Sequence, residues 1–132
     1  MKKTVKVVAA VIRKGDRIFC AQRKNFGPLG LKWEFPGGKV EAGESDEEAL
    51  HRELKEELNI TICILKRLEP IYFEYPTFIL DMAMFLVTTN DNISDLPAHE
   101  RGDFYSLQEM QSLDWAPADE TFVKNLEKSM KK

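Results

Sequence analysis

Apolar and β-branched residues occur in short stretches separated by Gly, Pro and polar residues, a pattern typical of β-strands joined by turns. Residues 4–13 form the first such stretch, and its apolar content predicts a central strand. Lys14-Gly15-Asp16 predicts a turn. Further strands are predicted over residues 17–23, 32–35, 72–75, 78–88 and 104–107, with loops over 25–30 and 90–102 and a turn at 36–38.

Two segments have a helical period instead. Over residues 45–58 three leucines share one stripe, and Ser45 with Glu48 matches a capping box. Residues 117–130 form the second predicted helix, which begins at a proline. Because strands come in clusters, helices are few and no linker or repeat is evident, we predict one α+β domain with a mixed sheet over residues 1–132.

The composition, with 43% hydrophobic and 31% charged residues, is that of a globular domain and excludes disorder, collagen and coiled coils. No apolar run approaches the roughly 20 residues that a membrane span needs, so no membrane partner is expected. The basic start at Lys2 and Lys3 imitates a secretory signal, but the apolar stretch after it is too short. Cys20 and Cys63 lie in apolar sequence, so we predict two reduced core thiols in a cytoplasmic protein.

The net charge is −3, from 22 acidic and 19 basic residues. Proteins that hold long nucleic acids carry a basic excess, so a polymeric nucleic acid is not an expected partner. If the chain handles phosphates, we expect them in small molecules and with the help of a cation.

The first predicted helix carries three acids whose placement is costly. Glu53, Glu56 and Glu57 share one stripe at spacing i, i+3, i+4, and two of them lie in the last turn, at the negative end of the helix dipole. Each like-charge pair costs about 0.2–0.5 kcal/mol. Arg52 and Lys55 can compensate in part, whereas a divalent cation compensates better. Hard oxygen ligands without paired His or Cys favour Mg²⁺, with Mn²⁺ as the alternative, over zinc.

The turn before this helix, Pro36-Gly37-Gly38, brings bare backbone close to it, where a carbonyl can ligate metal or an amide can meet phosphate. The chain contains no P-loop motif.

Residues 38–60, GKVEAGESDEEALHRELKEELNI, resemble the Nudix box, Gly-x5-Glu-x7-Arg-Glu-U-x-Glu-Glu-x-Gly-U with U a bulky aliphatic residue. The one departure is Asn59, where the family has Gly. That position ends the helix in a left-handed conformation, for which Asn is the next best residue, so we expect a small stability cost and intact chemistry. The matching residues are Gly38, Glu44, Arg52, Glu53, Leu54, Glu56, Glu57 and Ile60.

The resemblance extends over roughly residues 5–126, towards the MutT and bacterial CTP pyrophosphohydrolase groups of this family. It includes residues 33–39 (WEFPGGK), 21–23 (AQR), 98–100 (AHE) and 117–119 (PAD). The resemblance implies the Nudix-type α/β/α sandwich, with a mixed β-sheet between helices.

The resemblance also implies hydrolysis of a nucleoside triphosphate to the monophosphate and pyrophosphate, in the CTP type or the 8-oxo-dGTP-sanitising type. Glu53, Glu56 and Glu57, with the Gly38 carbonyl, would hold Mg²⁺. Arg52 would hold these carboxylates in place. Glu44 would be either an outer partner of the metal site or a simple acid at the helix entry.

A glutamate from a loop after the strands completes the metal site in MutT-like proteins and serves as a candidate general base. Glu100 is our choice for both roles, from the Ala-His-Glu match. Asp103 is the second candidate base and Glu53 the third. We expect His99 to be a loop residue without a catalytic role.

For the substrate, Arg23 and Lys39 are the cations placed to meet phosphate. Asp119 would accept a hydrogen bond from the amine of cytosine, or from guanine or 8-oxoguanine. MutT has an amide side chain at this position, so the carboxylate of Asp119 favours a cytosine nucleotide here. The alternative interpretation is that Asp119 is a solvated acid in the first turn of a helix. Phe35, Tyr75 and Phe78 would form walls of a base pocket, or belong to the core.

Two other functions stay open. One is hydrolysis of another nucleoside diphosphate derivative such as ADP-ribose, although the expected proline about fifteen residues past the box is not evident, since Pro70 comes too early and Pro76 is marginal. The other is a non-catalytic nucleotide-binding module, which usually lacks box carboxylates. The sequence leaves open whether the protein is a monomer or a homodimer.

Overall fold

The structure of the chain, a computed structural model, describes residues 2–94 and 96–130, and for residues 127–130 it describes the backbone only. The helices of the described part are α1 (Asp46–Leu58), α2 (Leu107–Met110) and α3 (Pro117–Met130). Its strands are β1 (Lys3–Lys14), β2 (Arg17–Arg23), β3 (Trp33–Glu34), β4 (Gly37–Lys39), β5 (Cys63–Arg67), β6 (Ile71–Glu74), β7 (Phe78–Thr88) and β8 (His99–Ser106).

The strands form a mixed sheet, as predicted. Strands β1 and β7 pair in parallel, from Lys3 opposite Phe78 to Ile12 opposite Val87, and the other strand pairs are antiparallel. The order along the main path is β3-β2-β1-β7-β5, while β4 pairs with β1, β6 with β7 and β8 with β2. No helix in the described residues has the length and apolar character needed to cross a bilayer.

Helices cover both faces of this sheet because successive side chains of β1 point to opposite sides. Val8, Ala10 and Ile12 belong to the core cluster that contains the leucines of α1. Ala9 and Val11 belong to the second cluster, which contains residues of α2 and α3. The predicted sandwich of helices around a mixed sheet is therefore confirmed.

The predicted turn at residues 36–38 is in part strand β4, which pairs with β1 opposite residues 7–9. Strand β1 pairs with β2 only next to their connecting turn, so its other half is free to accept β4. Gly37 makes this possible, because a Cβ there would lie 1.9 Å from the carbonyl oxygen of Val8. The sequence pattern did not predict this strand because the strand consists mainly of glycines, which pair closely with β1 but give no apolar pattern.

Strand β5 and helix α2 were not predicted. All of β5 is exposed except the partly buried Ile64, so it lacks an alternating apolar pattern. Helix α2 is a single turn whose capping box joins Ser106 and Glu109. Strand β8 begins five residues before the predicted 104, because pairing with β2 organises polar residues that have no strand pattern of their own.

The prediction of two core thiols is correct for Cys20, which is fully buried, and wrong for Cys63, which is exposed at the start of β5. Neither cysteine forms a disulfide. The apolar neighbours of Cys63 in sequence pack inward, whereas β5 turns the thiol outward.

Candidate active site

Helix α1 presents its acids to one side because its other residues fix its orientation. The hydroxyl of Ser45 accepts the N–H of Glu48, and the carboxylate of Glu48 accepts the N–H of Ser45, so the predicted capping box is present. The predicted leucine stripe, residues 50, 54 and 58, is buried in the core. The helix ends at Asn59, whose φ of 53° and ψ of 45° are left-handed, as the sequence analysis expected.

Arg52 connects the acids around the helix. Its Nε and Nη2 donate to the two carboxylate oxygens of Glu44 at 2.7 and 2.9 Å, and Nη2 also donates to the carbonyl of Lys39 at 3.0 Å. Its Nη1 lies 3.2 Å from Glu56 and 3.5 Å from Glu53. The guanidinium group lowers the pKa of Glu44 to about 2, and Glu44 in turn raises the pKa of Arg52. Glu44 thus anchors the arginine that touches the other acids.

The backbone of Gly38 packs directly against Glu53. A Cβ on residue 38 would lie 2.2 Å from Oε2 of Glu53, so only glycine leaves room for this carboxylate. Burial raises the pKa of Glu53, and the charge of Arg52 opposes that effect. A partly buried carboxylate pressed against bare backbone fits a hard divalent cation that takes oxygen ligands.

Glu57 is the most buried of the three acids, with 13% of its side chain exposed, whereas 62% of Glu56 is exposed. The backbone N–H of Gly37 favours the ionised form of Glu57 and so partly lowers its pKa. Its Oε1 is buried and has no hydrogen-bond partner among the described residues. Burial raises the pKa of Glu57 to about 7, with His99 opposing the rise. An unpartnered buried carboxylate oxygen beside Glu53 also fits a cation site.

Sequence reasoning missed two residues of this cluster, Glu34 on β3 and His99 on β8. Nε2 of His99 lies 2.9 Å from Oε2 of Glu34 and 3.4 Å from Oε1 of Glu57. The expectation that His99 is a loop residue is wrong, because it begins β8 and is buried. The only sequence clues are the Ala-His-Glu match and the polar residue between the apolar Trp33 and Phe35.

Irregular pairing between β2 and β8 explains why His99 points inward. The register passes from Gln22 opposite Arg101 to Arg23 opposite His99, which leaves Glu100 without a partner. Such a bulge re-aims side chains and is common beside active sites.

Glu100 and Asp103, the candidate bases from β8, are both exposed. Neither forms a hydrogen bond or ion pair with the box glutamates in the described part of the chain. Asp103 instead accepts the N–H of Phe104 at 2.7 Å.

A cavity of about 250 Å³ opens beside these acids, between β1, β3, β4, β7 and the start of α3. Gly37 and Gly38 line it, and Gly38 also packs against Glu53 of α1. Arg23 points Nη1 at Glu34 at 3.0 Å, while its buried Nε has no partner within the described residues. All five predicted substrate residues line this cavity, namely Arg23, Phe35, Lys39, Phe78 and Asp119.

Asp119 closes one end of the cavity and is 7% exposed, so the interpretation as a solvated helix acid is wrong. Its Oδ2 accepts the backbone N–H of Phe35 at 3.0 Å. Burial raises the pKa of Asp119 to about 7, and the N–H of Phe35 opposes this effect. A carboxyl group that is half ionised near neutral pH can offer both an acceptor and a donor to a ligand.

The aromatic residues divide between core and cavity wall. Phe35 is 3% exposed and stacks on Trp115 at 4.9 Å, so its ring belongs to the core and its backbone N–H serves the site. Tyr75 and Phe78 are partly buried and stack on each other with centroids 4.9 Å apart. This stacked pair forms a flat apolar wall of the cavity.

Comparisons with known proteins agree with this geometry. The family model for the NUDIX domain matches residues 2–130. An 8-oxo-dGTP diphosphatase from Haemophilus influenzae is 42% identical over 87 residues, which cover 65% of this chain and 64% of the relative. A CTP pyrophosphohydrolase from Escherichia coli is 47% identical over 62 residues, which cover 47% of this chain and 46% of the relative. The matches thus span about two thirds and about half of these relatives.

Among solved structures that match over nearly the whole length is one with substantial sequence identity. It is the solution NMR structure of the DNA mismatch repair protein MutT, of the Nudix hydrolase family, from methicillin-resistant Staphylococcus aureus 252. It is 37% identical, with a TM-score of 0.75, and the match covers 95% of this chain and 96% of that one.

Proposed function

The chain belongs to the Nudix family of hydrolases, and from this premise we propose that it is a Mg²⁺-dependent nucleoside triphosphate pyrophosphohydrolase. It would hydrolyse a (d)NTP to the monophosphate and pyrophosphate. The observation that carries the proposal is the position of Gly38, which packs against Glu53 of the box and also lines the cavity. This contact would bring a triphosphate in the cavity next to a cation on the acids.

The proposed metal ligands are the Gly38 carbonyl with Glu53, Glu56, Glu57 and Glu100. A bound Mg²⁺ would neutralise phosphate charge and lower the pKa of a coordinated water. Arg52 holds the carboxylates through contacts of 2.7–3.5 Å and so limits their motion. Arg23 and Lys39 would bind phosphate oxygens from the cavity side.

Glu100 remains our proposed general base, with Asp103 and Glu53 as the alternatives. It is next in sequence to His99, which lies 3.4 Å from Glu57, and its side chain is exposed. In this proposal the side chain of Glu100 turns toward the acids of α1 when metal and substrate bind. Asp103 lies three residues further along β8, and Glu53 already lies within the cluster.

For the base, we propose a cytosine nucleotide first and 8-oxo-dGTP second. An ionised Asp119 would accept the exocyclic amine of cytosine, and its protonated form would donate to the ring nitrogen next to it. The Tyr75–Phe78 wall would contact the flat face of the base. Guanine and 8-oxoguanine offer two donors to the same carboxylate, so they suit the ionised form only.

The cytoplasm is the proposed compartment, because an exposed free thiol at Cys63 suits a reducing environment. Hydrolysis of ADP-ribose and a purely nucleotide-binding role stay as alternatives, with no described residue favouring them.

The first experiment measures kcat/KM with Mg²⁺ over CTP, dCTP, 5-methyl-dCTP, 8-oxo-dGTP and ADP-ribose, and assays pyrophosphate and orthophosphate separately. We expect a triphosphate to be the best substrate and pyrophosphate to be the product. Orthophosphate as the first product, or preference for ADP-ribose, would contradict the proposal.

The role of Asp119 is tested by Asp119→Asn, which keeps an acceptor for the Phe35 N–H but presents a different group to the base. We expect the ratio of kcat/KM for CTP over 8-oxo-dGTP to rise roughly tenfold or more, because an amide can still donate to the ring nitrogen of cytosine but cannot accept both donors of the guanine edge. The matched control is Glu120→Gln, an exposed acid next to it in α3. Equal ratios in wild type and Asp119→Asn would remove this residue from base recognition.

A further inference from the structure

Three potential metal ligands from separate elements converge beside the box glutamates. They are Oε2 of Glu34 on β3, Nε2 of His99 on β8 and Oε1 of Glu57 on α1, and all lie within 4.8 Å of one another. The distances from Nε2 are 2.9 Å to Glu34 and 3.4 Å to Glu57. Ligands bound at about 2.1 Å in adjacent positions of a metal lie about 3.0–3.4 Å apart, so the two distances from Nε2 are close to those within one coordination sphere.

The surroundings of this group favour metal binding. The side chain of His99 is 2% exposed, and those of Glu57 and Glu34 are 13% and 23% exposed. The other oxygen of Glu34 accepts Nη1 of Arg23 at 3.0 Å, which holds the carboxylate towards the histidine. Oε1 of Glu57 is buried without a hydrogen-bond partner in the described chain. Arg23 compensates the charge of Glu34, so the carboxylate of Glu57 is the group here that a bound cation would compensate.

The remaining ring nitrogen determines which cations suit the group. Nδ1 of His99 is buried and has no partner among the described residues. A metal on Nε2 moves the ring hydrogen to Nδ1, where it finds no acceptor. Mg²⁺ binds imidazole too weakly to offset this cost, whereas first-row transition metals bind it more strongly, and among them Mn²⁺ suits a group in which two of the three ligands are carboxylates.

We propose that Glu34, Glu57 and His99 form a second cation site, selective for a divalent transition-metal ion such as Mn²⁺ over Mg²⁺. It depends on the proposed function only in sharing Glu57, which would bridge this ion and the Mg²⁺ of the box. The alternative is an ion pair in which His99 merely donates to Glu34. That arrangement binds no metal and is one outcome of the test.

The test uses Mn²⁺ alone as the added transition metal, on the full metal-free chain, in excess Mg²⁺ and without nucleotide. Mn²⁺ prefers oxygen and imidazole ligands to thiolates, so the exposed Cys63 does not interfere. Pulsed electron paramagnetic resonance detects coupling between Mn²⁺ and an imidazole nitrogen, and a titration gives the Kd. The chain has two histidines, and the other, His51, is exposed on α1, which makes His51→Gln the matched control.

We expect nitrogen coupling in wild type and His51→Gln, and none in His99→Gln, whose Mn²⁺ Kd should rise at least about tenfold. Glu34→Gln retains the imidazole, so it should weaken Mn²⁺ binding while nitrogen coupling persists. Melting temperatures in EDTA verify that each variant is folded. Absence of nitrogen coupling at saturating Mn²⁺, or an unchanged Kd in His99→Gln or Glu34→Gln, would overturn the site and leave the ion pair.

Hydrolysis of nucleotides with Mg²⁺ alone separates this inference from the proposed function. Mg²⁺-supported hydrolysis without imidazole coupling overturns only the second site. Imidazole coupling without hydrolysis of any triphosphate supports the second site and contradicts the proposed function.

Discussion

The pKa values of the carboxyl groups in this region differ because each group has different immediate neighbours. Two charge-assisted hydrogen bonds from Arg52 hold the pKa of Glu44 at about 2. Burial raises the pKa of Glu57 and of Asp119 to about 7. The spacing of acids along α1 was readable from the sequence, but these opposite environments depend on neighbours from other elements. Residues with raised pKa values line the proposed active site, as general experience with enzymes would suggest.

At this scale we predict that Glu57→Gln stabilises the metal-free protein at pH 8. Between the ordinary pKa of about 4.5 and the folded value of about 7, the folded chain binds this proton more tightly than the unfolded chain. The contribution of Glu57 to the free energy of unfolding of the wild type therefore falls as the pH rises from about 4.5 to about 7. Removing the charge should raise the free energy of unfolding by on the order of 1–3 kcal/mol at pH 8, while turnover with Mg²⁺ falls by orders of magnitude.

Urea unfolding in EDTA at pH 4 and pH 8 measures this effect, with the exposed Glu56→Gln as the control that changes stability less. Both variants should lose turnover. A Glu57→Gln protein less stable than wild type at pH 8, or either variant with full turnover, would refute the assignment.

At the scale of elements, α1 followed its sequence closely because its determinants are local. The capping box, the leucine stripe and the left-handed end all depend on residues within four positions of each other. Strand β4 and strand β8 were missed or shortened because their partners, β1 and β2, lie far away in the chain. Glycines and polar residues carry no strand pattern until a neighbouring strand supplies the hydrogen bonds.

The end of α1 provides a prediction for this scale. Asn59 has a φ of 53°, a conformation in which glycine has no Cβ penalty. Asn59→Gly should raise the free energy of unfolding by a few tenths to about 1 kcal/mol, and Asn59→Ala should lower it by roughly 1 kcal/mol. Thermal unfolding tests both, with kcat expected to stay within twofold in each. A loss of stability in Asn59→Gly would mean that the asparagine side chain contributes more than its backbone preference.

At the scale of the whole molecule, the divergence of β1 from β2 creates the site. Strand β1 pairs with β2 only beside their connecting turn, and farther from the turn it pairs with β4 instead. Strand β2 pairs with β3 and β8. The cavity is lined by residues from both halves of the sheet, and Gly38, one of these residues, packs against Glu53 of α1. Folding therefore gathers like charges into one place, and the metal-free fold bears the cost of their repulsion.

Mg²⁺ should accordingly raise the melting temperature, since a ligand that binds only the folded chain stabilises it by mass action, about 2.7 kcal/mol at 100 times its Kd. The control is NaCl at equal ionic strength, which screens the acids without ligating them. The double variant Glu53→Gln/Glu57→Gln should show no Mg²⁺-specific shift. Equal shifts with NaCl and Mg²⁺, or an unchanged shift in the double variant, would show that the acids do not bind the ion.

The sequence by itself determined the family, the mixed sheet, the stripes of leucines and acids on α1, and some of the residues that line the cavity. These features follow from spacing along the chain, because a helical stripe, a cap or a turn involves residues that are neighbours in sequence. Only the tertiary structure decided that Glu34 and His99 meet Glu57, that Asp119 is buried, and that Cys63 is not. Each of these depends on strand register and on the bulge at Glu100, which are set by pairing between distant segments.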